Sequence, residues 1–231
     1  SASLDDLDGD GVKDLAVGAT GDDDGGSNAG ALYILFLTTD GMAKSAQKIS
    51  NLYGGLSTTI DSSDAFGTSC ASLGDVDGDS VNDLVVGATG DDDGGINFGA
   101  IYILFLTTEG KAKSAQKISN SYGSLSSFYT LGSSDAFGFS SASLGDLDAD
   151  GVKDLVVGAK TDDDGGADTG AVYILFLTTE GQVKSGQKIS NSYGSIPYTL
   201  AASDNFGSSC AFTGDLNGDG ANDFVVGSSA G

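Results

Sequence analysis

Aspartate recurs at alternate positions in the stretch from Asp6 to Asp14, where carboxylates occupy positions 1, 3, 5 and 9 of a nine-residue loop. Calcium prefers hard oxygen ligands, and the small residues between the acids let the backbone curl around an ion. The pattern returns three times, its first residues lying 69, 71 and 69 positions apart, which favours metal binding over solvated turns. The further copies are Asp75 to Asp83, Asp146 to Asp154 and Asp215 to Asp223.

An EF-hand does not explain these loops. That site needs flanking helices and a bidentate Glu at loop position 12, whereas Val17 holds this position in the first copy. The chain shows no amphipathic pattern three helical turns long. The sequence therefore predicts cation loops set between strands.

Three acidic triplets offer a second kind of site, either a further cation site or a ligand-binding rim. Three consecutive carboxylates cannot all face one ion, so we favour solvated Asp-Gly turns. The triplets are Asp22-Asp23-Asp24, Asp91-Asp92-Asp93 and Asp162-Asp163-Asp164.

Catalysis is not expected from these acids. An active site needs one set of distinct groups, and the repeat symmetry produces no unique carboxylate pair for glycoside hydrolysis. The sequence contains no histidine and no Ser in a nucleophile-elbow context. Hydrolase activity on polysaccharides is only a distant third hypothesis.

Strand-like runs surround each acidic loop. In the third repeat, a small-residue run at 136–144 precedes the loop, and apolar runs at 154–159 and 171–177 follow it. The last run, 182–190, alternates and carries Lys184 and Lys188 on one face, as predicted for an exposed outer strand. Four strands in an inner-to-outer meander make one propeller blade. We therefore predict an all-β propeller of four-stranded antiparallel blades, without helices.

The copies divide the chain into about three and a half blades. We predict blades at 1–65 (lacking the start of its first strand), 66–136 and 137–205, and the first two strands of a further blade at 206–231. A closed propeller needs at least about four blades. We therefore expect the chain to associate with itself or with further repeats of the same polypeptide, as a processed product or a window of a longer one.

The strongly negative net charge of the chain restricts the kinds of partner that it can bind. A net charge of −23 leaves no basic patch for nucleic acid, and it disfavours an anionic membrane surface. No apolar run reaches the length of a membrane span, and no signal peptide is visible.

Cys70 and Cys210 hold equivalent repeat positions, too far apart for a disulfide, so we predict free buried thiols.

Five connector tyrosines could stack on sugars, but we favour packing between blades. They are Tyr53, Tyr122, Tyr129, Tyr193 and Tyr198.

The repeat resembles a known family. Phe-Gly at 66–67, 137–138 and 206–207, followed by Gly-Asp-Leu-Asp-x-Asp-Gly-x-x-Asp, resembles the FG-GAP repeat of integrin α-subunit propellers. The bacterial extracellular versions, with Asp-Asp-Asp-Gly-Gly before Gly-Ala-x-Tyr-Ile-Leu-Phe-Leu, are more similar still. The resemblance covers nearly the whole chain. It implies that each loop joins the first two strands of a blade and binds one Ca²⁺ at the lower face, up to four in all.

The resemblance also implies the ligands, which are side chains at loop positions 1, 3, 5 and 9 and the carbonyl at position 7. They are Asp6, Asp8, Asp10, Val12 and Asp14; Asp75, Asp77, Asp79, Val81 and Asp83; Asp146, Asp148, Asp150, Val152 and Asp154; and Asp215, Asn217, Asp219, Ala221 and Asp223.

Three residues depart from the repeat pattern at glycine positions. Asp5 and Ser80 each replace a glycine, and Ser80 would be strained if its position needs a positive φ. Ala149 replaces another glycine, and we expect this change to be harmless. The integrin metal-dependent adhesion domain has no counterpart here.

The function implied is that of a non-enzymatic, extracellular or cell-surface, calcium-binding protein. It would act in adhesion or as a structural subunit of a surface assembly or filament. The alternative is a lectin-like module that binds polysaccharide, and a protein ligand is also open.

Overall fold

A computed structural model describes residues 1–229 of the chain. Fourteen strands form four antiparallel sheets. The first sheet contains β1 (Ala2–Asp5), β2 (Asp14–Ala19), β3 (Ala31–Leu37) and β4 (Ala43–Ile49). The second contains β5 (Phe66–Gly74), β6 (Asp83–Ala88), β7 (Ala100–Leu106) and β8 (Ala112–Ile118). The third contains β9 (Phe137–Gly145), β10 (Asp154–Ala159), β11 (Ala171–Leu177) and β12 (Val183–Ile189), and the fourth pairs β13 (Phe206–Gly214) with β14 (Asp223–Ser228).

Each four-stranded sheet is a meander whose strands lie side by side in chain order. This is the predicted propeller blade, and the prediction of an all-β propeller is confirmed. Within residues 1–229 the helical structure is one three-residue 3₁₀ turn, Leu125–Ser127, in the connector after the second blade. The four sheets form an open array within this part of the chain, and none of its helices is long and apolar enough to cross a membrane.

Burial along the strands follows from how many faces of a blade are covered. In the second blade, every residue of β6 and β7 is buried, because other blades pack on both faces. In the first blade, β3 alternates between buried and half-buried residues. The core between the second and third blades is aromatic as well as aliphatic. The third blade contributes Phe137 and Tyr173, which pack edge-on at a centroid distance of 5.3 Å.

Glycine pairs allow the inner strands of successive blades to approach closely. A Cβ added at Gly87 would lie 2.0 Å from the carbonyl oxygen of Gly138 in the next blade. The same geometry brings Gly158 against Gly207. The Phe-Gly motif of each repeat therefore supplies a bare backbone surface for the preceding blade.

Both cysteines are free, as predicted. Cys70 is buried and Cys210 is half-buried. The Sγ of Cys210 accepts a hydrogen bond from the Ser140 hydroxyl at 3.2 Å.

Candidate cation loops and the opposite rim

Each acidic loop connects the first two strands of its sheet. The first aspartate organises the loop, because Asp6 accepts backbone N–H bonds from Asp10 at 2.9 Å and from Gly11 at 2.8 Å. Asp75, Asp146 and Asp215 accept the equivalent pair of bonds in their own loops. The four loops therefore share one curled conformation that their own carboxylates stabilise.

The ninth loop position ties the loop to the body of the blade. Asp83 is fully buried and accepts N–H bonds from Val76 at 2.9 Å and from Leu106, at the end of the third strand, at 3.0 Å. Burial raises the pKa of Asp83 to about 6, although the two N–H donors oppose the shift. Asp14 and Asp154 accept the same two bonds in their blades.

Three of the loops bring three carboxylate oxygens within 4.8 Å of one another. Hard oxygens gathered in this way match the ligands that calcium prefers, so the residues present fit a divalent cation. The groups are Asp6, Asp8 and Asp10; Asp75, Asp77 and Asp83; and Asp146, Asp148 and Asp154. Among the described residues, the fourth loop forms no such group, since Asn217 replaces its second carboxylate.

The seventh loop position makes a contact that the sequence did not reveal. The backbone N–H of Val12 donates to Oδ1 of Asp10 at 2.9 Å, and Val81, Val152 and Ala221 do the same in their loops. The role of their carbonyls as ligands stays a prediction.

Positive φ angles occur at all three substituted glycine positions, including Asp5 just before the first loop, with φ +56°. Ser80 adopts φ +71° at a position where the other copies have glycine. The position therefore does need a positive φ, and the serine there is strained. Ala149 adopts φ +62°, in place of a glycine with φ near +80° in the other copies. A residue with a Cβ rarely adopts this angle, which argues against the expectation that Ala149 is harmless.

A lysine from the outer strand contacts each of the first three loops. The Nζ of Lys44 lies 2.8 Å from Asp8 and also pairs with Asp10, which lowers the pKa of Asp10. Lys113 and Lys184 make the same two contacts in their blades. The sequence placed the lysines of this strand on a solvent-exposed face, and Lys44 and Lys113 are exposed residues while Lys184 is half-buried. The ion pairs cover part of each side chain, which is 27–30% exposed.

The acidic triplets line the rim opposite the loops and are neutralised from within the protein. Lys188 is 8% exposed and pairs with Asp162 at 2.7 Å and with Asp164 at 2.5 Å. The Tyr173 hydroxyl adds a hydrogen bond of 2.9 Å to Asp162. Lys48 and Lys117 repeat the arrangement. Only the middle aspartate of each triplet is exposed, so the prediction of solvated turns holds for one acid in three.

Shallow cavities lie beside these ion pairs, between the rim and the connectors. One, of about 300 Å³, is lined by Thr59, Asp93, Lys117 and Tyr122, and the equivalent cavity near Tyr193 measures about 330 Å³. The two tyrosines are 56% and 54% exposed. Tyr129 instead packs edge-on against Tyr173 and donates its hydroxyl to Gly186 O at 2.8 Å. Packing is therefore the role of one connector tyrosine, while others remain open to solvent.

Two further carboxylates are buried beneath this rim. Asp64 is 3% exposed and accepts the N–H of Asp61 at 2.8 Å, and Asp135 is 5% exposed. Burial raises the pKa of Asp64 to about 7 and that of Asp135 to about 6. Neither group was singled out from the sequence, because an Asp in a polar connector resembles an ordinary turn residue.

A known repeat family matches the segments that contain the first three of these loops. The FG-GAP repeat matches residues 1–35, 66–104 and 137–175. The chain carries FG-GAP repeats. Each match begins at the first strand of a sheet or one residue before it, and extends through the cation loop into the third strand.

Two curated proteins are similar to most of this chain. Phosphatidylinositol-glycan-specific phospholipase D of Bos taurus is 32% identical over 164 residues, 67% of this chain and 17% of the relative. Integrin alpha-5 of Xenopus laevis is 32% identical over 179 residues, 75% of this chain and 15% of the relative. The chain thus spans about a sixth of the length of either protein.

Proposed function

We propose that the chain is a non-enzymatic, calcium-stabilised FG-GAP propeller segment that acts outside the cell in adhesion or as a structural subunit of a surface assembly. The observation that carries the proposal is the set of preorganised carboxylate loops. In three of them the oxygens already lie within 4.8 Å of one another and the backbone is curled by hydrogen bonds to the first aspartate. Similarity to integrin alpha-5 supports the adhesive role and the location.

The charge of the chain supports a structural role for the ion. With a net charge of −23, the folded state suffers self-repulsion that each bound divalent cation would reduce. A cation that binds the folded loop and not the unfolded chain stabilises the fold, by about 2.7 kcal/mol when its concentration is 100 times Kd. Millimolar extracellular calcium suits loops of modest affinity.

Thermal melting tests this proposal. We expect an excess of chelator to lower Tm by about 5 °C or more, since each kcal/mol shifts Tm by roughly 2–4 °C in a chain of this size. Asp148→Ala should remove part of the calcium effect, while Asp92→Asn, at an exposed acid outside the loops, should leave it intact. Equal melting temperatures with calcium and with chelator would disprove the role of the ion.

The absence of catalysis is part of the same proposal. The acids recur with the repeat symmetry, and the sequence lacks histidine. The similarity to the phospholipase D is confined to 17% of that protein. Hydrolysis of a glycosylphosphatidylinositol substrate or of polysaccharides by the purified chain would refute this part.

A second candidate function is saccharide binding at the rim cavities. An exposed tyrosine face beside a threonine, an aspartate and a lysine offers the stacking surface and the polar groups that a sugar requires. A glycan array should then show binding that Tyr122→Ala and Tyr193→Ala weaken. Tyr198→Ala is the matched control, since Tyr198 is 79% exposed but lines neither cavity.

We also propose that the outer face of the β13–β14 pair packs on a further FG-GAP blade. Val225 is 51% exposed, whereas its counterparts Val85 and Val156 are fully buried between blades. The partner blade would come from the same polypeptide or from a second copy. Light scattering tests the second case: a concentration-dependent rise above the mass of one chain that Val225→Glu abolishes would support it, and a monomer at all concentrations would exclude it.

A further inference from the structure

The lysine near the start of each outer strand contacts the cation loop at two of the predicted ligand positions, 3 and 5. We propose that Lys44, Lys113 and Lys184 are tethered counter-ions that compete with the divalent cation for the carboxylates at loop positions 3 and 5, and so set the affinity of each loop. This inference rests on the proposed cation binding and adds the residues that control it.

Atom-level contacts support competition. In the first loop, Oδ1 of Asp10 accepts the Val12 N–H at 2.9 Å, which leaves Oδ2 free of backbone partners. It is this Oδ2 that Lys44 contacts, together with Oδ2 of Asp8 at 2.8 Å. The ammonium therefore occupies oxygen atoms that the loop backbone leaves available for a cation.

The arrangement is the same in three loops. Lys113 contacts Oδ2 of Asp77 at 2.7 Å and Oδ2 of Asp79, while Oδ1 of Asp79 accepts the Val81 N–H. In the third loop, Lys184 contacts Oδ2 of both Asp148, at 2.9 Å, and Asp150. Each lysine lies 34 positions after the second aspartate that it contacts, on the fourth strand of the same blade. A contact repeated with this register is a property of the blade.

The second lysine of the same strand, Lys188, forms a buried ion pair that serves as a comparison. Lys188 lies four residues beyond Lys184, about 13 Å along the strand, and pairs with the opposite rim. It is 8% exposed, with its Nζ 5.1 Å from the centre of the Tyr173 ring. Lys184, at 27% exposed, has no aromatic partner among the described residues. The loop lysine can therefore leave its carboxylates for water at little cost.

Competition of this kind is large enough to measure. A cation that enters the loop must displace two exposed ion pairs, which corresponds to about a tenfold loss of affinity for that loop. Replacing the lysine with a neutral residue should thus tighten calcium binding at that loop, and the metal-free protein should lose stability because two carboxylates lose their counter-ion.

Calorimetric titration of calcium into the full 231-residue chain tests the proposal. Lys44→Gln, Lys113→Gln and Lys184→Gln, singly and together, are expected to lower Kd of the affected loops about tenfold at low salt. Lys44→Arg keeps the charge and should restore the original affinity. Lys13→Gln is the matched control, since Lys13 belongs to the first loop but pairs with Asp5, outside the ligand positions.

A second readout does not depend on the variants folding. In protein labelled with ¹³C-lysine, the ε-methylene signals of the three loop lysines should shift on calcium addition, while those of Lys48, Lys117 and Lys188 stay in place. Unchanged or weaker calcium binding by the Gln variants, or unmoved loop-lysine signals, would overturn the inference alone. Absence of calcium binding by the unmodified chain would overturn the proposed function and the inference with it.

Discussion

Replacing Ala149 with glycine should stabilise the protein, although it removes a side-chain atom. Ala149 has φ +62°, a conformation that costs a residue with a Cβ roughly 1–2 kcal/mol. The extra freedom of glycine in the unfolded chain offsets about 0.5–1 kcal/mol of this relief. The net gain lies between about 0 and 1.5 kcal/mol, which for this chain length is a rise in Tm of up to roughly 6 °C.

Sterics do not complicate this estimate. At Gly9, one of the glycines equivalent to Ala149, a Cβ would meet no atom within 4 Å, so the cost arises from the backbone alone. Ser80, with φ +71°, should respond to glycine in the same way, and Gly11 and Gly220, its counterparts, are equally open. Because the two loops belong to different blades, the gains should add.

The assay is urea unfolding in the presence of a chelator, so that changes in cation affinity do not contribute. Ala167→Gly serves as control, since Ala167 is exposed and lacks a positive φ, and this change should destabilise slightly. A lower free energy of unfolding for Ala149→Gly than for the unmodified chain would refute the strain argument.

Two further predictions concern the rim. The folded-state pKa of Asp64, about 7, and that of Asp135, about 6, exceed the ordinary value of 3.8, so the folded protein binds these protons more tightly than the unfolded chain does. Stability in chelator should therefore fall as pH rises from 4 to 7, and Asp64→Asn should flatten that slope in denaturation measured at several pH values; an identical slope would contradict the assignment. Tyr173→Phe removes a 2.9 Å hydrogen bond to a buried carboxylate and should cost about 1.5–3 kcal/mol in urea unfolding. Tyr33→Phe, where the bond is 3.4 Å and half-buried, should cost clearly less, and equal losses would show that the hydroxyl contact is not responsible.

The strands and the loop positions were predictable because they depend on short-range sequence patterns. Alternating aspartates with small residues between them specify a curled turn, and apolar runs such as Asp154–Ala159 specify strands covered on both faces. Repetition of one unit then fixed the blade as a meander, since each run has a neighbour in sequence with which to pair.

The electrostatic partners were not predictable, because they depend on the length and direction of side chains across the sheet. Lys44 and Lys48 lie on one face of β4, and alternation alone places that face in solvent. The structure shows that the two ammonium groups point to opposite ends of the strand, one to the loop and one to the acidic triplet. The positive φ of Ala149 did have a signal in the sequence, because the other three copies carry glycine at its position, as they do at the position of Ser80.

The close approach of Gly87 to Gly138, and of Gly158 to Gly207, has a consequence for how such arrays grow. Where backbone touches backbone, the rotation from one blade to the next is set by main-chain atoms that every copy shares. Side chains elsewhere in the blade can then change without altering that rotation. A duplicated repeat would therefore join the array at the same angle as the repeat from which it was copied. The glycine contacts thus keep the angle between successive blades constant as repeats are added.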